Sequence, residues 1–230
     1  MIKKIIRALN NRRLRFIKYN PFRRFDYARY WENVYHLGVD EGHSGCGSYG
    51  KLADFKAEIV NAFVAQNNIQ TVVEFGCGDG NNLKFMNYPN YVGLDVSATT
   101  VKRCQQLFSE DLTKSFANYH PLHQSPKELK ADLVVCLDVL YHVVAEKDFV
   151  KTLDDIFQTA QKLVILYTSV KEFDYKTDIH VKHRHIYPYL EKYSDFAILQ
   201  FVGQRYPELS SADFIILKHK NSNIQPLTTY

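Results

Sequence analysis

The sequence predicts an α/β fold in which a mostly parallel sheet carries helices on both faces. Five short apolar segments, typical of buried parallel strands, fall near residues 69–75, 90–95, 115–119, 132–137 and 162–168. Helical stretches lie before and between them, near residues 52–65, 81–87, 98–109 and 146–160. Two alternating apolar runs, 196–203 and 213–219, favour an antiparallel hairpin at one edge of the sheet.

The first predicted strand ends in a glycine turn that indicates a ligand site. Gly76, Gly78 and Gly80 follow the strand at alternate positions. Glycines let the backbone turn sharply and approach a ligand without a Cβ in the way. The dinucleotide fingerprint G-x-G-x-x-G would need glycine where Asn81 stands. The spacing therefore disfavours an oxidoreductase that binds a dinucleotide.

Acidic residues lie at the ends of three predicted strands. Glu74 precedes the glycine turn, which it can steady. Asp95 closes the second strand, where a carboxylate can accept hydrogen bonds from ribose hydroxyls. Asp138 closes the buried strand 132–137, and His142 follows it. Ligands of open α/β sheets bind beyond the carboxyl ends of the strands, so these residues predict a site at that edge.

With these motifs in order, the sequence resembles the class I methyltransferases that use S-adenosylmethionine. Residues 74–80 read E-x-G-x-G-x-G, and residues 91–97 and 131–143 look like later motifs of that family. The resemblance implies a Rossmann-like seven-stranded methyltransferase sheet. It implies S-adenosylmethionine as cofactor and S-adenosylhomocysteine as product. The cofactor-binding residues that it implies are Glu74, Gly76, Gly78, Gly80, Asp95 and Asp138.

A narrower resemblance is to bacterial methyltransferases of surface-polysaccharide biosynthesis, which build capsules and O-antigens. The segments that carry it are Tyr30-Trp31 and residues 44–50, 74–80, 137–142 and 180–184. It implies a glycan or sugar-phosphate acceptor and leaves open whether a sugar hydroxyl, an acidic sugar or a phosphate is methylated. A methyltransferase of a small metabolite outside glycan assembly would share the same donor motifs. A non-catalytic S-adenosylmethionine-binding partner of a membrane-associated assembly is a third interpretation.

The two acceptor chemistries assign different catalytic residues. A hydroxyl is a poor nucleophile, so His142 would take its proton as general base while Asp138 lies near the methyl group. Structural roles, His142 ordering the strand end and Asp138 capping a turn, are the alternatives. A phosphate or carboxylate needs no base, and a basic cluster would bind it instead. The candidates for acceptor binding are Tyr49, Tyr141, His180, His183 and Arg184, with Tyr187 a further aromatic candidate. No ligand spacing accompanies these histidines, so no metal site is expected.

Charge divides the chain into a basic arm and an acidic body. Residues 1–25 contain nine Lys and Arg and no acid; with a net charge of +4 overall, the remainder carries 4 − 9 = −5. The arm can form a basic amphipathic helix that contacts an anionic membrane, or a solvated helix packed on the domain. Residues 26–230 form one predicted methyltransferase domain, of which 26–50 are a mobile lid.

Composition favours a cytoplasmic protein, with the inner face of the membrane as an alternative. The four cysteines form no C-x-x-C pair, which is typical of reduced thiols. No apolar run is long enough to span a bilayer, and no signal-peptide core is present. Nucleic-acid binding is not expected, because no basic stripe with interleaved aromatics crosses the body.

Overall fold

The computed structural model describes residues 6, 9–13, 15–16, 25–38, 43–171 and 178–228. Its strands form one mixed sheet in the order β3-β2-β1-β4-β5-β7-β6. These strands are β1 (Thr71–Phe75), β2 (Asn90–Asp95), β3 (Lys114–Asn118), β4 (Ala131–Leu137), β5 (Ala160–Thr168), β6 (Phe196–Val202) and β7 (Asp213–His219). Strands β1 to β5 are parallel, and β7 pairs antiparallel with both β5 and β6. The predicted fold class is confirmed.

Helices cover both faces of the sheet. They are α1 (Tyr27–Leu37), α2 (Gly50–Gln66), α3 (Ala98–Leu107), α4 (Glu146–Thr159) and the short α5 (Tyr187–Leu190). Strand β4 is buried along its whole length, because its side chains alternate between two hydrophobic clusters. Leu133 and Val135 pack into the cluster that includes α2, whereas Val134 and Cys136 pack into the one that includes α4.

The predicted helix over residues 81–87 is wrong. A short 3-10 helix, Asn82–Phe85, stands there instead. Only residues 76–89 connect β1 to the parallel strand β2, and the glycine turn uses the first of them. Pro89 also opposes continuation of a helix into this connection, because proline disfavours helical backbone in the residue before it. The stretch left is too short for a full crossover helix.

The segment predicted as a lid is described by the structure at residues 26–38 and 43–50, and its helix contacts the rest of the domain. Helix α1 begins at Asp26, whose carboxylate accepts from Arg29 N, and ends at Gly38 with a left-handed φ of 60°. The Glu32 carboxylate accepts from the Ser97 hydroxyl at 2.6 Å and the Thr99 hydroxyl at 2.5 Å. These bonds tie α1 to the start of α3, beside the carboxyl end of β2.

Part of the basic arm lies within the described residues. Positions 6, 9–13, 15 and 16 are helical, and Asn10 Nδ2 donates to the Leu37 carbonyl at 2.8 Å. Ile6, Leu9 and Phe16 are 51%, 58% and 66% exposed. The other arm positions of the predicted amphipathic helix lie outside the described residues. Within the described part of the chain, no helix has the length and apolar character needed to cross a membrane.

Candidate active site

A cavity of about 880 Å³ opens at the carboxyl ends of β1 and β4. The strand that follows β1 in the chain lies on one side of this pair, and the strand that follows β4 lies on the other, so the strand order reverses here. Open α/β sheets bind ligands at such a reversal. The glycine turn, the segment after β4, and α1 with its following loop line the cavity, together with Asp95 and Val96 at the end of β2, Tyr119 after β3 and Thr152 in α4. The aromatic and imidazole side chains in its wall are Tyr27, Tyr30, Trp31, Tyr35, His43, Tyr49, Phe75, Tyr119, Tyr141, His142 and His180.

The glycine turn adopts a backbone that only glycine accepts without strain. Gly76, Gly78 and Gly80 have φ values of 84°, 55° and 75°. The N–H groups of Gly76 and Cys77 both donate to the Leu94 carbonyl, which fixes the turn against β2. A Cβ on Gly76 would lie 2.2 Å from Val139 Cγ2, so the turn also packs tightly on the segment after β4.

The loop before α2, residues 43–49, packs on the glycine turn and is called the lid loop below. Ser44 N and the Tyr49 hydroxyl donate to Asp79 Oδ2 at 2.9 and 2.6 Å, and Asp79 N donates to Ser44 Oγ at 3.0 Å. Although burial alone would raise it, these hydrogen bonds lower the pKa of the Asp79 carboxyl. Tyr49, predicted for the acceptor, is thus part of this closure as well as of the cavity wall. The sequence analysis did not identify Ser44 or Asp79.

Asp95 lies where a ribose-binding carboxylate is expected. Its two oxygens accept from Gly78 N and Ser97 N, each at 2.9 Å, and burial raises its pKa to about 6. Each oxygen retains lone-pair capacity for a hydroxyl donor. Nearby, Asn82 Oδ1 is buried and has no hydrogen-bond partner among the described residues. The glycine turn, Asp95 and this free acceptor fit the polar groups of S-adenosylmethionine.

Asp138 forms a compact polar cluster at the end of β4. Its Oδ2 accepts from Lys56 Nζ at 2.5 Å, and its Oδ1 accepts from the Tyr141 hydroxyl at 2.7 Å. Asp138 has a left-handed φ of 63°, which is uncommon outside glycine and typical of functional sites. Each of its two carboxylate oxygens thus accepts one hydrogen bond from the protein. Lys56, which is fully buried, was not among the predicted site residues.

His142 has the tautomer of a general base. Its Nδ1 lies 3.0 Å from the His180 carbonyl oxygen. A carbonyl can only accept, so Nδ1 carries the proton and Nε2 keeps its lone pair. Burial lowers the pKa of His142 to about 4, so the ring is neutral at physiological pH. The Trp31 and His180 rings hold it in place, with centroids 4.9 and 5.5 Å from its own.

Four predicted site residues do not line the cavity: Glu74, Gly80, His183 and Arg184. His183 Nδ1 pairs with Ser169 Oγ at 2.7 Å. The buried Arg184 side chain contacts Glu146 Oε2 at 3.1 Å and donates to the Val144 carbonyl at 3.0 Å. Tyr187 also lies outside the lining. Of the residues predicted to bind the acceptor, Tyr49, Tyr141 and His180 therefore line the cavity, whereas His183 and Arg184 do not.

Glu74 is a buried internal carboxyl. Its Oε2 accepts from the Tyr91 hydroxyl at 2.6 Å. Burial raises its pKa to about 7, although the Tyr91 hydrogen bond and the nearby Lys56 charge oppose the rise. In the folded protein Glu74 keeps its proton up to about pH 7, whereas in the unfolded chain it loses the proton near its ordinary pKa of about 4.5. Its contribution to stability is therefore present at low pH and lost as the pH rises through 7.

Replacing Glu74 with Gln should remove this pH dependence. Relative to the wild type, Glu74→Gln should gain up to about 3 kcal/mol of unfolding free energy between pH 4.5 and pH 8. Denaturant unfolding of both proteins across this range measures the difference. Asp95 titrates in both proteins and largely cancels. A difference that stays constant with pH would contradict the raised pKa of Glu74.

Metal chemistry has no candidate site in the described part of the chain. No group of three or more His, Cys, Asp or Glu side chains there is arranged to hold a metal ion. The cysteines that the structure describes are free thiols.

Comparisons with known proteins identify the family. A family model described as a methyltransferase domain matches residues 49–197. Solved structures share the fold at low identity. Magnesium protoporphyrin IX methyltransferase from Synechocystis PCC 6803, solved with S-adenosylhomocysteine, has a TM-score of 0.57 at 18% identity, over 95% of this chain and 100% of that one.

Further structural neighbours act on other substrates. The N-methyltransferase NodS from Bradyrhizobium japonicum WM9, in complex with S-adenosylhomocysteine, has a TM-score of 0.58 at 14% identity, over 74% of this chain and 87% of that one. The small RNA methyltransferase HEN1 has a TM-score of 0.59 at 20% identity, over 78% of this chain and 27% of that one. No curated protein matches the sequence. The neighbours therefore support the fold and leave the acceptor open.

Proposed function

The chain belongs to the family of methyltransferase domains, and on this premise we propose that it methylates a hydroxyl oxygen of a neutral, sugar-containing acceptor. When bound, the donor S-adenosylmethionine supplies a methyl group that its sulfonium already activates. The protein must orient the acceptor, exclude water and accept a proton. The observation that carries the choice of a hydroxyl is the tautomer of His142, with Nε2 unprotonated.

His142 acts as the general base in this proposal. Its Nε2 accepts the hydroxyl proton while the acceptor oxygen bonds to the methyl carbon and the carbon–sulfur bond breaks. With a pKa of about 4, the imidazole is a weak base that is fully available at neutral pH. The hydroxyl becomes acidic only as its oxygen gains the methyl group, so a weak base in contact with it is sufficient.

The charges around the cavity favour a neutral acceptor. Among the described residues, no Lys or Arg lines it, whereas Asp79, Asp95 and Asp138 do. Arg184, the planar cation predicted to bind an anionic acceptor, pairs with Glu146 instead. A phosphate or an acidic sugar would enter without a cationic partner, and an RNA backbone would meet the same difficulty.

The aromatic wall suits the apolar face of a sugar ring. Trp31, Tyr30 and Tyr141 offer amphipathic surfaces that pack against carbon-bound hydrogens and also supply polar edges. Together with the sequence resemblance to surface-polysaccharide enzymes, this supports a bacterial surface glycan or its precursor as the acceptor.

In the test, the purified protein and labelled S-adenosylmethionine are added to an extract of cells that lack this protein. The extract supplies the acceptor, and incorporation of labelled methyl is measured. The products are separated into polysaccharide, glycolipid and small-molecule fractions and then treated with mild alkali. Alkali-stable label in polysaccharide or glycolipid, recovered as a methylated sugar after acid hydrolysis, is the expected result. Label released by alkali as methanol would identify a carboxylate acceptor and overturn the proposal. Label confined to small molecules would overturn the glycan assignment.

A further inference from the structure

Lys56 is a charged side chain buried beneath the cavity. It lies within α2, has no solvent exposure, and its Nζ is 2.5 Å from Asp138 Oδ2. The ring of Tyr167 packs beside it, with the centroid 5.5 Å from Nζ. An isolated ammonium group is very costly to bury, so the structure depends on this ion pair.

The pair fixes Asp138 from several directions. The Tyr141 hydroxyl holds Oδ1, and Asp138 N donates to the Tyr167 carbonyl at 2.9 Å. The lid loop packs on the same carboxylate, because a Cβ on Gly47 would lie 2.6 Å from Oδ2. The left-handed backbone of Asp138 is thus held by contacts from α2, β5 and the lid loop.

An engaged carboxylate of this kind is suited to binding rather than to proton transfer. Each oxygen of Asp138 accepts one hydrogen bond from the protein and has lone-pair capacity for another donor. The side chain is 15% exposed and lines the cavity. The donor S-adenosylmethionine carries an ammonium group and a sulfonium at its amino-acid end, and both are complementary to a carboxylate.

We propose that Lys56 is a positioning residue that holds the Asp138 carboxylate in place to bind the cationic amino-acid end of the donor. This inference rests on the proposed function. It assigns to α2 a part in donor recognition, although Lys56 itself does not line the cavity. It also assigns Asp138 to binding and leaves proton transfer to His142.

The experiment compares three ligands by isothermal titration calorimetry on the wild type and on Lys56→Met. Met keeps the length of the side chain without its charge. S-adenosylmethionine has both cationic groups, S-adenosylhomocysteine has only the ammonium, and 5′-methylthioadenosine has neither. We expect Lys56→Met to weaken S-adenosylmethionine and S-adenosylhomocysteine by about tenfold or more, because a misplaced carboxylate loses a charge-assisted hydrogen bond. Binding of 5′-methylthioadenosine should change less than twofold.

The chain offers a control ion pair between Lys162 of β5 and Asp132 of β4. Lys162 Nζ pairs with Asp132 Oδ1 at 2.9 Å, at the other end of β4 from the cavity. Lys162→Met should leave all three affinities unchanged. The double variant Lys56→Met with Asp138→Asn leaves no unpaired buried charge, so it provides a folded protein if the single variant unfolds. It should show the same ligand-dependent loss.

The outcomes separate this inference from the function on which it rests. A wild type that fails to bind S-adenosylmethionine would refute the proposed function itself. A wild type that binds it, with variants that lose all three ligands equally or lose none, would overturn the role of Lys56 in donor recognition.

A different observation concerns the basic arm. At 100° per residue, Ile6, Leu9 and Phe16 fall within an arc of about 80° on one side of a helix. All three are at least half exposed, and the neighbouring arginines Arg12, Arg13 and Arg15 are exposed as well. With a charge of +9 in residues 1–25, these exposed apolar side chains lie beside a concentration of cations, and this combination complements an anionic surface into which apolar side chains can insert. The geometry points to an anionic lipid surface as its partner.

Vesicle flotation with the full chain tests this partner. The wild type should float with vesicles containing phosphatidylglycerol, less so with phosphatidylcholine alone, and high salt should weaken the binding. Leu9→Ser with Phe16→Ser should reduce the bound fraction several-fold. The control, Leu112→Ser with Leu209→Ser, changes side chains that are 96% and 50% exposed elsewhere and should bind like the wild type. Equal binding by both variants, or a change only in oligomeric state, would overturn the lipid assignment.

Discussion

Replacing His142 with Ala is expected to lower the single-turnover rate of methyl transfer by roughly 10² to 10⁴-fold, the usual contribution of a positioned general base. The KM for S-adenosylmethionine should change little, because donor binding is assigned to the glycine turn, Asp95 and Asp138 and not to His142. The rate falls because the variant lacks the general base. In the wild type, Nδ1–H donates to the His180 carbonyl, so the unprotonated Nε2 takes the proton from the hydroxyl of the acceptor. Single-turnover kinetics with the acceptor identified by the labelling experiment measures the rate effect, and steady-state kinetics measures the KM.

His183→Ala is the matched control for this experiment. His183 was also predicted to contact the acceptor, yet its ring pairs with Ser169 and does not line the cavity. Its removal should leave the single-turnover rate within about twofold. If His142→Ala transferred methyl at the wild-type single-turnover rate, His142 would be a structural residue. If His183→Ala instead raised the acceptor KM strongly, an anionic acceptor would be favoured.

Replacing Gly76 with Ala is expected to weaken donor binding by on the order of 10²-fold. Two effects combine: a φ of 84° strains any residue with a Cβ, and that Cβ would lie 2.2 Å from Val139 Cγ2. The turn must move by about an ångström, and displacements of that size cost on the order of 10²-fold in organised sites. Isothermal titration with S-adenosylhomocysteine and thermal unfolding report the binding loss and the strain.

Gly45→Ala serves as the control for the glycine turn. Gly45 also lines the cavity, but a Cβ there meets nothing within 4 Å and the backbone φ is −53°. Its affinity and stability should match the wild type. Adding Val139→Ala to Gly76→Ala removes the steric clash alone, so partial recovery of binding would separate the clash from the backbone strain. Full affinity in Gly76→Ala itself would contradict the geometry.

Strands β1, β4 and β5 were predictable because burial on both faces leaves continuous apolar runs, whereas in the edge strand β3 only Phe116 is buried. Strands β1 to β5 lie within a few residues of their predicted positions, and the C-terminal strands β6 and β7 pair antiparallel as predicted. Helix α4 likewise has a long, strongly periodic pattern. The helix at 81–87 failed because the sequence pattern does not register how little chain remains to reach β2.

The donor half of the candidate site was more predictable than the rest. Gly76, Gly78 and Asp95 follow strand ends, so topology alone brings them to one edge of the sheet. Lys56 was missed because a lysine in an amphipathic helix normally faces water. A signal was present, since Lys56 lies four residues after Leu52 and three before Ile59, on the apolar face of α2. Asn82 was missed because nothing in its sequence context predicts an unpaired buried oxygen.

The hydrogen bonds between the lid loop and the glycine turn have a consequence for turnover. Ser44 and Tyr49 both bind Asp79, and Asn81 Nδ2 donates to the Ser48 carbonyl at 2.7 Å, so the loop is latched directly onto the donor side of the cavity. Exchange of S-adenosylhomocysteine for a fresh donor then requires these contacts to break together. Release of S-adenosylhomocysteine, rather than methyl transfer, is therefore expected to limit the steady-state rate. The rate of methyl transfer in a single turnover should then be faster than kcat.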